Sequence, residues 1–357
     1  MTGSPRASDE PLRDLLQRQL GAAYALTREL SGGGSAHVFL ATEVALDRQV
    51  VLKVLPPQLT DGVDGERFRR EILIAARLQH PHLVPLLSAG DVHDDVTGRS
   101  LRWFTMPFIE GRSLRDQLHR RGPMPMPTAL RMIRELATAL AYAHARGVVH
   151  RDIKPENILL SDGVSMISDF GVAKALDDAS GDSLKSGRRV TTVSMTLGTP
   201  AYMAPEQVNN ARVVDHKADL YAFACVAYEM LTGSAPLVRP SLRATMAAQL
   251  SEQPVPLRQL RADVPPALSD MLMRCLAKDP LQRPHSATAV VKVLDELSAD
   301  QITGQDEGNG AGPSLVNTAS PISSPMTKRT STTLAAGMLA TTALLLVIVS
   351  WWVFTQR

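Results

Sequence analysis

Cysteine is scarce in this sequence. Only Cys225 and Cys275 occur, each inside an apolar stretch and without the spacing of a zinc or disulfide framework. That excludes a disulfide-stapled secreted fold, and buried free thiols in a reducing compartment are expected. An excess of one charge is missing too, since 38 basic and 36 acidic residues leave a formal +2. No Lys/Arg-rich block appears, so no nucleic-acid partner is expected. The N-terminal stretch carries Asp9, Glu10 and Asp14 and lacks the apolar core of a secretory signal. No repeat with a period of about 20–50 residues is visible. Long apolar runs are absent with one exception: residues 334–354 are 21 in a row without a charge.

What is present is an ordinary globular composition, 44% hydrophobic and 21% charged over 357 residues, long enough for a large core. Residues 1–23 are read as an N-terminal extension, polar over 1–9, with a short helix expected over 12–25. β-like runs follow at 27–30, 38–42, 50–55, 83–88 and 101–108, with a helix over 65–78 among them. From Pro127 the period changes. Leu130, Ile133, Leu136, Ala137, Leu140 and Ala141 recur at helical spacing. Residues 219–231 are almost wholly apolar, the mark of a helix buried on all sides. More helices are expected over 242–250, 266–276 and 287–297. The fold class is therefore α+β, with a β-rich front and an α-rich back. Of the 34 residues 300–333, 20 are Gly, Ser, Thr, Pro or Asn, which predicts a disordered linker.

Phosphoryl transfer needs the phosphates held, a metal held and a hydroxyl aimed in line. Groups for each task occur in order. His150–Asn157 read HRDIKPEN, and Asp169-Phe170-Gly171 follow seventeen residues after Asp152. Lys53 stands in the apolar strand VVLKVL, and Glu71 comes eighteen residues later on an expected helix. Together these resemble the protein kinase family over about 24–297, nearest to bacterial membrane-bound serine/threonine kinases.

The resemblance implies a two-lobe kinase fold, N-lobe 24–108 and C-lobe 109–299, and a role for each residue. Asp152 orients the substrate hydroxyl, Lys154 contacts the transferred phosphate, and Asn157 and Asp169 hold Mg²⁺ or Mn²⁺. Lys53 takes the α- and β-phosphates of ATP, with Glu71 holding it in place. Leu30, Ser31, Gly32, Gly33, Gly34, Ser35, Ala36 and Val38 match the glycine-rich nucleotide lid only in part: Ser31 and Ala36 stand where the family has glycine. Met106 lies behind the adenine, with the Pro107 carbonyl and Ile109 amide bonding the purine. Thr199 and Glu206 belong to the substrate platform, where Glu206 pairs with Arg283 and Thr199 bonds Asp152 and Lys154; Asp219 holds the catalytic loop. Arg151 receives a phosphate carried by Thr191, Thr192, Ser194 or Thr196.

The run 334–354 is about 31 Å long as a helix, against roughly 30 Å of bilayer hydrocarbon, and Trp351 and Trp352 sit at its far end. A single-pass transmembrane helix is expected, with a short outer tail at 355–357, no outside sensor domain in this chain and the catalytic domain cytoplasmic. Protein substrates and a homodimer for phosphorylation in trans are the expected partners. The rival readings fare worse. A pseudokinase scaffold would normally lack Lys53, Asp152 or Asp169, a small-molecule phosphotransferase needs no 198–206 platform, and a membrane adaptor leaves the catalytic set unexplained.

Overall fold

The computed structural model describes residues 10–32, 36–55, 65–94, 98–170, 200–209, 211 and 214–306. Helix α1 (Glu10–Leu20) leads into strand β1 (Tyr24–Gly32), followed by β2 (His37–Glu43) and β3 (Arg48–Val54). Helix α2 (Gly65–Ala75) comes next, then β4 (Ser88–Asp94) and β5 (Arg99–Pro107). These strands form one antiparallel sheet in the order β1-β2-β3-β5-β4. Each strand alternates, so the sheet has two chemically distinct faces. Tyr24, Leu26, Phe39, Ala41, Val50, Leu52 and Val54 belong to one apolar cluster, which Leu15 and Leu16 of α1 join. Helix α1 thus roofs the face opposite Lys53, and it stops at Leu20 rather than running on to 25. Its end is pinned where the Gly21 N–H donates to the Gln17 carbonyl and the chain turns into β1.

The expected strand at 83–88 is not formed. Leu83 makes a single bridge to Ile167, Val84 N donates to the Ile167 carbonyl, and Leu87 N donates to Thr105. The backbone groups of this segment tie the two halves together instead of joining a ladder, and its apolar residues Leu83, Val84 and Leu86 are buried there. The strand begins only at Ser88, where the chain reaches the edge of β5.

Beyond β5 a short sheet pairs β6 (Arg112–Ser113) with β7 (Ile158–Ser161) and β7 with β8 (Val164–Ile167). Gly111, at φ +156°, brings the connection so close that a Cβ would lie 2.1 Å from the Leu160 carbonyl oxygen. Only glycine fits there. Helix α3 (Leu114–Arg121) starts on a capping box between Ser113 and Asp116. Helix α4 (Met126–His144) buries Leu130, Ile133, Leu136, Ala137 and Leu140 along one stripe, the spacing seen in the sequence. Against it lies α5 (His216–Thr232), buried at every position from Ala218 to Leu231 and ended by Gly233 at φ +88°. Helices α6 (Leu242–Ser251), α7 (Pro266–Cys275) and α8 (Ala287–Asp306) complete the C-terminal half.

Helix α8 continues past residue 300, where the sequence composition suggested that a linker begins. The glycines and prolines that make the composition linker-like lie mostly after Asp306, and 298–303 contain neither Pro nor Gly. Both cysteines are free and buried, and burial pushes the Cys275 thiol up to about 12. Among the described residues no helix is long and apolar enough to cross a membrane; the run 334–354 lies outside them.

Candidate active site

Lys53 on β3 points to the face opposite α1. Its cross-strand partner is Val38, and Val51 shares its face two residues earlier. Val51, Val84 and Met106 form a small apolar cluster completed by partly buried Leu30, Val38, Phe108, Ile109, Leu159 and Met166. The last two come from β7 and β8, so the cluster is a slot between the two sheets. Leu30, Val38, Met106 and Ile109 were legible in the sequence. Val51, Leu159 and Met166 were not singled out, although the alternation of β3, which puts Val51 on the face of Lys53, carries a signal for the first of them. Met106 is buried behind the slot, and Pro107 ends β5 opposite Val50. Ala36 precedes β2, while Gly33, Gly34, Ser35 and the Ser31 side chain lie outside the described residues.

Below the slot, Lys53 Nζ donates to both carboxylate oxygens of Asp169, at 2.7 and 2.6 Å. Burial alone would raise the Asp169 carboxyl, but Lys53, His150 and Lys154 hold it below the ordinary carboxylate value. Glu71 is buried on α2 and takes part in a polar interaction of its own. Asp152 accepts from Lys154 Nζ at 2.7 Å and from Asn157 Nδ2 at 3.0 Å, and Asn157 Nδ2 also holds the Asp152 carbonyl at 2.8 Å. Burial raises the Asp152 carboxyl against the pull of Lys154, His150 and Asn157.

The loop that presents these groups is strained and then locked. Arg151 and Asp169 both adopt positive φ, +68° and +64°, which for non-glycine residues costs about 1–3 kcal/mol. Asp219, 1% exposed within α5, accepts from the backbone N–H of His150 and of Arg151, each at 2.8 Å, and from His144 Nε2. Burial would raise the Asp219 carboxyl, yet these donors hold it low. His150, fully buried, bonds the Ser168 carbonyl at 2.8 Å and meets the Phe170 ring edge-on, so the catalytic loop and the 168–170 turn are one unit. Sequence order gave no sign of this His150–Ser168 link.

The family described as "Protein kinase domain" matches residues 24–293. The chain belongs to the protein kinase family. Its kinase domain is 35% identical over 287 residues to "Serine/threonine-protein kinase PknB" of Mycolicibacterium smegmatis, covering 80% of this chain and 43% of that protein. It is 38% identical over 269 residues to "Serine/threonine-protein kinase PknD" of Mycobacterium tuberculosis, covering 74% of this chain and 38% of the relative. The solved kinase domain of Mycobacterium tuberculosis PknI superposes with a TM-score of 0.59 at 28% identity, covering 78% of this chain and 96% of that one. The chain spans half or less of the length of the curated relatives it matches.

Within the kinase domain, the segment after residue 199 is anchored by charge. Arg283, buried at 3% exposure, grips both carboxylate oxygens of Glu206 at 2.6 and 2.8 Å. A second anchor escaped sequence reading. Arg115 of α3 bonds Glu156 at 2.8 Å, Glu229 of α5 at 2.6 Å and the Tyr202 hydroxyl. Its signal was Glu229, a carboxylate buried in a mostly apolar helix, which needs a buried donor. Arg151 donates to the Val214 carbonyl at 3.2 Å, and Gln207 donates to the Arg151 carbonyl at 2.9 Å. Thr191, Thr192, Ser194, Thr196 and Thr199 lie outside the described residues.

The donor set fits a hard divalent cation. Among the described residues no group of three or more His, Cys, Asp or Glu would hold a metal unaided. Asp169 and the amide oxygen of Asn157 supply two oxygen donors, and Mg²⁺ is usually held by few protein oxygens together with substrate phosphates.

Proposed function

We propose that this chain transfers the γ-phosphate of ATP to serine or threonine hydroxyls of protein substrates. The observation that carries the reading is the convergence of Lys53 and Asp169, 116 residues apart, beside the Asp152–Lys154–Asn157 cluster and beneath an apolar slot. The slot takes the purine, Lys53 neutralises the α- and β-phosphates, and Glu71 steadies Lys53. Asp169 and Asn157 would hold Mg²⁺ or Mn²⁺, which would supply positive charge to the phosphate oxygens. Asp152 accepts the hydrogen bond of the attacking hydroxyl, and Lys154 stays within reach of the transferred group.

Activation in trans by phosphorylation between residues 171 and 198 fits Arg151, which sits at the junction of the catalytic loop and the 204–208 turn. The uncharged run 334–354 supports a single-pass anchor, with the kinase domain on the cytoplasmic side where ATP is available. Anchoring would concentrate one copy around another.

Mass spectrometry of the purified chain after incubation with ATP and Mg²⁺, beside Asp152→Asn and Lys53→Met, tests the reading. Phosphate should appear on Ser or Thr, including the 191–196 cluster, and both variants should lose turnover by orders of magnitude. Wild-type rates in both variants would sink the assignment. Fully active enzyme with a bare 171–198 segment would sink the activation step.

A further inference from the structure

A cavity of about 660 Å³ opens on the flank of the C-lobe, lined in part by Gln253, Asp270, Arg274, Lys278 and Asp279. The Lys278 ammonium lies half-buried in its wall. Nζ donates to the Tyr221 hydroxyl at 3.1 Å and stands 5.5 Å from the centre of that ring. Among the described residues no carboxylate forms an ion pair with it. Burial, with Arg283 nearby, brings the ammonium down to about 8 against the opposing pull of Cys225 and Glu252. At that value a substantial share of the amine is neutral in ordinary buffer, unlike an exposed lysine.

The consequence runs inward. The Tyr221 hydroxyl accepts from Lys278 and donates to Gln249 Oε1. Gln249, fully buried, donates through Nε2 to the carbonyls of Pro200 at 3.2 Å and Ala201 at 2.8 Å. One directed chain of donors therefore links the cavity to the Pro200–Tyr202 turn, where the described part of the substrate platform begins. The links from Tyr221 inward are buried, so a change passed to the Tyr221 hydroxyl is not absorbed there by water.

We infer that Lys278 is an acyl-acceptor site, taking an acyl group from a small acyl phosphate that enters the cavity, and that its acylation loosens the Pro200–Tyr202 turn. The Nζ lone pair attacks the acyl carbonyl carbon, and a C–N bond forms. The C–O bond to phosphate breaks, phosphate leaves with the electron pair, and the proton lost from nitrogen passes to water. Arg274 in the same wall is the cation placed to attract the phosphate. The product is a neutral amide that no longer places an ammonium on the Tyr221 hydroxyl.

The effect on catalysis rests on the kinase reading above; the modification itself does not. Full-length protein is incubated with acetyl phosphate near pH 8 and its lysines are ranked by peptide mass spectrometry. Lys278 should be acetylated several-fold faster than Lys292, whose side chain is 80% exposed. Lys278→Gln, which copies the neutral amide, should raise the peptide KM several-fold and leave the ATP KM unchanged, whereas Lys278→Arg keeps both. Hydrogen exchange of the amides in 200–206 should be faster in Lys278→Gln than in Lys278→Arg. Equal acetylation at Lys278 and Lys292, or reaction at Lys278 only after unfolding, overturns the site. Unchanged exchange at 200–206 in Lys278→Gln overturns the coupling. A chain without any phosphotransfer counts against the proposed function alone, because acetylation and exchange are read without it.

Discussion

Two aspartates in the catalytic loop region face opposite electrostatic situations, and their neutral variants should behave oppositely. Folding raises the Asp152 carboxyl above its ordinary value, so its ionisation takes stability away as pH rises past the unfolded value of 3.8. Asp152→Asn should therefore leave the melting temperature at pH 7 unchanged or higher while removing turnover. Asp219 is depressed by folding, so its ionisation stabilises the protein above the unfolded value of 3.8. That contribution is lost as pH falls through the folded value. Asp219→Asn should lower the melting temperature at pH 7, because the two N–H donors of a strained turn lose their charged acceptor. Thermal melts of both variants decide it; a clear drop in Asp152→Asn, or none in Asp219→Asn, contradicts the assignment of strain and support. The aspartates themselves were readable in the sequence as motif members. The opposite sign of their environments was not, since it depends on how deeply packing buries Asp152 and on His144 and the His150 N–H reaching Asp219 from distant parts of the chain.

Among the elements, α1 is the one whose importance the kinase family match does not cover, since that match begins at residue 24. The helix is not a loose leader. Leu15 and Leu16 join the apolar face of the five-stranded sheet, Leu26 N donates to the Gln17 side chain, and Gln19 exchanges bonds with the backbone of His93. It therefore bridges β1 and β4 across the sheet. Leu16→Ala should cost about 2–5 kcal/mol in chemical denaturation, the usual range for a fully buried leucine. A loss under about 1 kcal/mol would mean that the helix docks without contributing to the core. Its existence was legible from the period of Leu12, Leu15, Leu16 and Leu20. Its docking was not, because an amphipathic helix announces an apolar face without naming the surface it covers.

For the molecule as a whole, the end of α8 decides where the kinase domain can be cut. A break at Ser298 would divide that helix, whereas a cut after Asp306 preserves it. The protein ending at Asp306 should be soluble and active, with self-phosphorylation that rises steeply with concentration. Full-length protein in vesicles should depend far less on bulk concentration. Full-length protein that washes from membranes in alkaline carbonate would refute anchoring by 334–354. The kinase family of this protein and the kind of most of its longer elements were legible in the sequence alone. HRDIKPEN, the Asp169 turn and the apolar periods are local, and a strand or helix writes its period into consecutive residues. The tertiary structure alone decided which distant groups meet: Lys53 with Asp169, Arg115 with Glu229, and Lys278 through Tyr221 and Gln249 with Pro200 and Ala201. It also decided that 83–87 would link the lobes rather than form a strand. The reason is that a buried polar group or a freed backbone N–H takes whichever partner the packing brings within about 3 Å, and sequence separation plays no part in that distance.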